Sequence, residues 1–206
     1  QGVWKLIKSM DYFFGVYKKD GACEEGPTYW SHAFGHAVKF LNLLYKVTDG
    51  KVNVFPNPLL QNMARYIYRV HIGKNYFVNF ADSSPKVSPS PSLLFLYGKR
   101  LNDQKMMEFA AQMADYNHSF KNGVTGYFAA ALDELLMYKD IIACRKSEPN
   151  VGNYFFEDTQ LCVARDKDGQ GTGYYFAAKG GNNHESHNHN DVGTFILYYD
   201  SEPVLI

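Results

Sequence analysis

Eight consecutive residues concentrate the chain's candidate chemistry: His184-Glu185-Ser186-His187-Asn188-His189-Asn190-Asp191. Three of the seven histidines fall within six positions there. Side chains alternate along an extended backbone, so His187 and His189 share one face. That spacing suits two metal ligands, or one ligand beside one catalytic imidazole. The interleaved Asn and Asp side chains can orient imidazoles through hydrogen bonds. The bland reading is a polar surface loop, but the cluster runs directly into a β-branched and aromatic strand over 191–199. A second candidate is Glu24-Glu25-Gly26-Pro27-Thr28-Tyr29-Trp30. Gly and Pro there fix an irregular backbone just ahead of a helix. A tyrosine in such a loop can point its hydroxyl into a cleft. A phenol, with a pKa of about 10, is a poor base until a cation or hydrogen-bond donor stabilises the phenolate. Taken alone, a tyrosine packs more often than it reacts.

The elements that must position these residues divide by type. Residues 1–143 read as helices, and residues from 150 onward read as strands. One type followed by the other predicts an α+β protein rather than a βαβ repeat. The expected units are a helical domain over 1–147 and an antiparallel β domain over 148–206. The first helix runs to Lys18 and stops at Lys19-Asp20-Gly21, and a loop is expected over 22–30. The next helix has an apolar stripe at Phe34, Ala37, Val38, Leu41, Leu44 and Tyr45. Asn57 followed by Pro58 starts a third, whose stripe is Leu59, Leu60, Met63, Ile67 and Val70. A long loop over 75–91 contains Asp82-Ser83-Ser84-Pro85; loops of that length are often functional. Helices follow over 91–101, 103–117 and 127–143. Successive helices without heptads fit an α-solenoid or a closed α/α toroid. Strands over 159–165 and 173–179, joined by the turn Asp166-Lys167-Asp168-Gly169, form a hairpin. The strand over 191–199 and another after Asp200-Ser201-Glu202-Pro203 complete a sandwich-like pattern.

Composition narrows the function. The chain has 206 residues, 46% of them apolar, enough for one or two modest domains. Aromatics reach 16%, with 16 Tyr and 15 Phe. Aromatic faces suit sugar rings, although core filling explains most single aromatics. The 21 basic and 21 acidic residues cancel, which removes the basic footprint that nucleic-acid binding needs. No apolar run reaches the roughly 20 residues of a membrane-spanning helix. Cys23, Cys144 and Cys162 are an odd, sparse set that reads as free thiols rather than a disulfide framework. Residues 1–10 lack a helix start signal and Pro203-Val204-Leu205-Ile206 reads as a strand cut mid-course, so sequence is expected beyond both ends.

Two motifs carry a family resemblance. Glu25-Gly26-Pro27-Thr28-Tyr29-Trp30 resembles the helical-domain motif of the heparinase II/III-like polysaccharide lyases. His187-Asn188-His189-Asn190-Asp191-Val192-Gly193-Thr194-Phe195-Ile196-Leu197 resembles their sandwich motif, and Asp82-Ser83-Ser84-Pro85 looks like a family loop. The resemblance covers nearly the whole chain. It implies an incomplete α/α toroid followed by an antiparallel β-sandwich, with this chain spanning the end of one and the start of the other. It implies β-elimination on a polysaccharide containing uronic acid, heparan sulfate-like or alginate-like, and an extracytoplasmic, periplasmic or secreted location.

The resemblance also implies roles. Tyr29 would take the C5 proton of the uronate and could return a proton to the leaving oxygen. His187 would assist as a second acid–base group, and Glu25 would support the tyrosine loop. Trp30, Asn188 and Asn190 would contact substrate. His189 would match a metal-binding histidine, the ion being a structural zinc; the chemistry itself would need no cofactor. The family's carboxylate-neutralising Asn or His lies further upstream than the 28 residues preceding Tyr29, so this piece alone is expected to be weakly active or inactive. Two further readings compete: a carbohydrate-binding relative without catalysis, and a metal-dependent glycan hydrolase using the histidine cluster. Lys86, Lys99 and Arg100 are candidate contacts for sulfate or carboxylate groups, though solvated surface roles suit them better.

Overall fold

A computed structural model describes residues 2–120, 128–185, 189 and 192–206, with the side chains of 128–130 excluded. The described residues form an α+β protein of six helices followed by a five-stranded antiparallel sheet. The helices are α1 (Gly2–Val16), α2 (Pro27–Val47), α3 (Pro58–Arg69), α4 (Pro91–Leu101), α5 (Gln104–Tyr116) and α6 (Phe128–Ala143). A small hairpin, β1 (His71–Gly73) and β2 (Tyr76–Phe77), stands between α3 and α4. The sheet is a meander, β3 (Tyr154–Phe156), β4 (Leu161–Arg165), β5 (Tyr174–Lys179), β6 (Thr194–Tyr199) and β7 (Glu202–Leu205), each strand pairing with the next.

Local chemistry explains most of the boundaries. Three helices begin with their own side-chain cap: Asn57 accepts from the Leu59 N–H, Ser90 from Leu93 and Asp103 from Met106. Pro58 and Pro91 occupy first-turn positions, where a missing N–H is harmless. Helix α4 is buried along Pro91–Gly98 and is the centre of the helical layer, packed by α5 and α6. Against it α2 delivers Trp30 and Phe34, and Phe34 stacks on Tyr97 at 5.0 Å between ring centres. The stripe expected on α2 is buried at Phe34, Ala37, Val38 and Leu41, while Leu44 and Tyr45 are half-buried. Helix α1 forms as expected but buries no residue, and Trp4 is 62% exposed.

In the sheet the period of two separates the faces. Phe156, Leu161, Val163, Tyr175, Ala177, Ile196 and Tyr198 are buried against the helical layer. Phe155, Tyr174, Phe176, Phe195 and Tyr199 stand on the opposite, exposed face. One apolar core runs through both layers, with Tyr66 edge-on to Phe156 and Tyr76 edge-on to Tyr198. Among the described residues there is one large sheet, and no second large sheet faces it. Three strands were not expected. β1 lies just before the expected loop over 75–91, β2 falls within it, and β3 precedes the first expected strand; at two or three residues, none is long enough to express an alternation.

Buried polar contacts tie the layers together. The Arg165 guanidinium, on the inner face of β4, donates to the carbonyls of His71, Ile72 and Val151. It also lies over the Tyr175 ring at 4.7 Å. His71 is enclosed between Phe77 and Phe109, and its Nε2 faces the Lys74 carbonyl at 2.9 Å. Burial disfavours the imidazolium and pushes the His71 pKa down to about 4.

Two outcomes are expected. Arg165→Ala, which orphans buried carbonyls, should lower stability by roughly 2–4 kcal/mol in urea unfolding. His71 is neutral when folded, whereas the unfolded chain protonates it near its ordinary 6.5. Stability should therefore decline as pH falls from 6.5 towards 4, and His71→Leu should flatten that decline in pH-dependent thermal melts.

Candidate functional site

The three segments singled out by residue type meet in space. Helix α2 begins at Pro27, so Tyr29 sits in its first turn rather than in the expected loop. No side chain of the preceding residues caps this helix. Its cap comes from elsewhere: Ser83 Oγ accepts the Thr28 N–H at 3.3 Å and lies 3.1 Å from the Thr28 hydroxyl. In return the Ser84 N–H donates to Thr28 Oγ1 at 3.0 Å. Gly26 makes the approach feasible. Its φ is +91°, and a Cβ there would stand 2.6 Å from the Ser83 Cβ and 2.8 Å from the Phe80 carbonyl oxygen.

The same 82–85 turn reaches the histidine segment. Asp82 Oδ1 lies 2.7 Å from His189 Nε2. Behind the segment, Lys179 donates to Glu185 Oε2 at 2.6 Å, with side chains only 8% and 3% exposed. This buried ion pair fixes the start of the histidine segment to the inner end of β5. Lys179 also borders a small internal space shared with Cys23, Gly26 and Pro27, so the two motifs are close neighbours. An open cleft of about 580 Å³ is lined by Phe13, Tyr17, Glu24, Glu25, Asn182 and His184, among others. Both motifs therefore contribute to one wall.

Placement of the individual candidates varies. Tyr29 is 39% exposed, and its ring faces His32 at 6.5 Å. Glu25 is half-buried on the cleft wall, and Glu24 beside it is bridged to Lys18 at 3.0 Å. Trp30, expected beside the substrate, is a core residue. It is 1% exposed, and its indole N–H donates to the Met63 carbonyl at 2.7 Å. One residue turns a helix by about 100°, which carries Trp30 off the Tyr29 face and into the α2–α4 contact. His187, Asn188 and Asn190 lie outside the described residues. Of the suggested anion contacts, Lys99 is bridged to Asp140 at 2.9 Å, Arg100 is bonded to Asn42 and lies over Tyr45, and Lys86 lies over Tyr76.

A structural zinc takes four donors. Among the described residues no three His, Cys, Asp or Glu side chains converge, and His189 with Asp82 supplies two. Those two do not by themselves make a zinc site. Burial raises the Cys23 thiol to about 11, so it stays protonated beside Tyr17. All three cysteines are free.

Lys179 and Ser83 escaped the residue-by-residue reading. Lys179 was findable, since its parity with Tyr175 and Ala177 puts it on the buried face of β5. Ser83 had only its place in a conspicuous loop. The buried pair gives a test. Glu185→Gln should cost about 3–5 kcal/mol by stranding the Lys179 ammonium, and Lys179→Met with Glu185→Leu should recover most of it in chemical denaturation.

Against known proteins, the chain matches no family model and no curated protein, so the chemistry of the site rests on its own residues.

Proposed function

We propose that the chain is the central part of a polysaccharide lyase that cleaves a uronic-acid-containing glycan by β-elimination. In this reading the helices belong to an α/α toroid and the sheet to a β-sandwich, and the enzyme works outside the cytoplasm on a secreted or imported polymer. The observation that carries the proposal is that the 82–85 turn contacts both Thr28, the neighbour of Tyr29 in the first turn of α2, and His189.

The reaction sets definite demands. The C5 hydrogen of a uronate is weakly acidic until the adjacent carboxylate is neutralised by a donor. A base then removes the C5 proton, and that electron pair forms the C4–C5 double bond as the C4–O bond breaks. The departing oxygen takes up a proton. Tyr29 is the residue we assign to the first transfer, and its phenol can return the same proton to the leaving oxygen. Its exposure at the start of α2 leaves the hydroxyl accessible to a polymer. The cap from Ser83 holds the first turn, and hence the tyrosine backbone, against the segment bearing His189. His187 is assigned the assisting acid–base role by its place in the motif, although it lies outside the described residues. Glu25, on the cleft wall, supports the turn preceding the tyrosine.

The test uses the full-length gene product carrying this chain and a panel of uronate polymers. Elimination creates a conjugated double bond, so product forms with a rise in ultraviolet absorbance, which hydrolysis does not give. Tyr29→Phe should reduce that rate by roughly 10²–10⁴-fold while leaving the fold intact by circular dichroism. A Tyr29→Phe enzyme that retains full turnover would remove the tyrosine from the mechanism. Products without the absorbance change would point to hydrolysis.

A further inference from the structure

The side of α2 that looks away from the core carries a pair of histidines outside the histidine segment. A helix advances by about 100° per residue, so Tyr29, His32 and His36 fall within about 60° of one another around its axis. The buried stripe of the same helix, with Trp30, Phe34, Ala37, Val38 and Leu41, takes the opposite side. His32 and His36 are both exposed. The His32 ring lies 6.5 Å from that of Tyr29, tilted by 50°.

One turn of helix separates the two imidazoles. Side chains at i and i+4 are neighbours on a helix surface, with about 5–6 Å between Cβ atoms. Two histidines at that spacing on one helical face can hold a single zinc ion between them. The backbone beneath this pair is fixed. Gly35, between them in sequence, lets α2 close on α4: a Cβ there would stand 2.9 Å from Leu93 Cδ2. Phe34 beside it is stacked on Tyr97. A rigid element therefore presents both donors, and side-chain rotation alone brings the two rings onto one ion.

The donors select the metal. Imidazole nitrogen suits zinc, copper and nickel, whereas magnesium and calcium take oxygen ligands. Two imidazoles make half of a tetrahedral set, so water or an incoming ligand takes the other positions and the ion stays exchangeable. Lys39, the next residue along the same stripe, is paired with Asp133 at 4.0 Å, so a carboxylate offsets its charge. The Asp82–His189 pair belongs to the strap and the histidine segment and shares no residue with this one.

We propose that His32 and His36 form a surface site for a divalent transition-metal ion of the zinc class, separate from the histidine segment. Its position gives the ion a consequence. His32 is one turn from Tyr29, and the two rings are neighbours, so an ion on the pair stands with its water shell beside the candidate base. Occupancy obstructs the approach of a polymer to the phenol, which makes the site inhibitory. The metal-binding claim stands by itself, while the inhibitory role rests on the lyase reading.

The test is calorimetric titration of the metal-stripped full-length gene product with zinc chloride. The parent protein should show a binding event that His32→Ala and His36→Ala each lose and that His189→Ala keeps, and calcium chloride should not compete for it. Alanine and glutamine both suit an exposed helical position, so His36→Gln repeats the test if His36→Ala folds poorly by circular dichroism. A zinc event unchanged in both α2 variants, one lost only in His189→Ala, or none at all in the folded protein each overturns the proposal. Zinc should also slow Tyr29-dependent elimination by the parent protein, and should leave the turnover of His36→Ala where it stood without zinc. Equal slowing of both proteins overturns the inhibitory role. Zinc binding as expected in a protein with no Tyr29-dependent elimination would defeat the lyase reading and leave the metal site standing.

Discussion

Everything proposed for this protein depends on one helix terminus being capped by a residue far away in sequence. The first N–H groups of a helix need acceptors. Helix α2 has none of its own, because Gly26 offers no side chain and Pro27 follows it. Ser83 fills the role from 55 residues away. A local cap would have fixed only the helix. A distant one also fixes where the helix lies relative to the strap that reaches His189. Gly26 is the matching half of this arrangement, since any larger residue would hold the strap off.

The sheet is held to the helices by directional contacts as well as by apolar burial. Arg165 gathers carbonyls from β1 and from the segment just before β3. Asp20, just ahead of the tyrosine motif, accepts from both the backbone N–H and the hydroxyl of Thr159. Lys179 and Glu185, within the β part, tie the start of the histidine segment to β5. Apolar packing tolerates sliding, but a guanidinium aimed at particular carbonyls does not. The relative placement of Tyr29 and the histidine segment is therefore set by polar groups that are costly to leave unpaired.

Much of the fold was legible because its signals are local. Asn57-Pro58 and the repeated apolar spacing located α3, and the Asp166-Lys167-Asp168-Gly169 turn located the β4–β5 hairpin. What escaped depends on contacts between distant residues or on very short elements. The start of α2 was read as loop because its cap is not adjacent, and β1, β2 and β3 are too short to show a period. At the site, residue type picked out Tyr29, Glu25 and the histidine segment, while Trp30 was misassigned because helical phase, not aromatic character, decides its direction. Lys179 shows the reverse case, a functional anchor hidden in an ordinary strand pattern.

The meander has a consequence for the order in which the molecule is assembled. Each strand from β3 to β7 pairs with its immediate successor, so the sheet is built from pairings between strands adjacent in sequence. The candidate site has the opposite character. Its defining contacts join residues 55 and 107 positions apart, and none of them exists until α2, the strap and the sheet have all come together. The contacts that define the candidate site are therefore non-local, whereas the sheet is built from local ones.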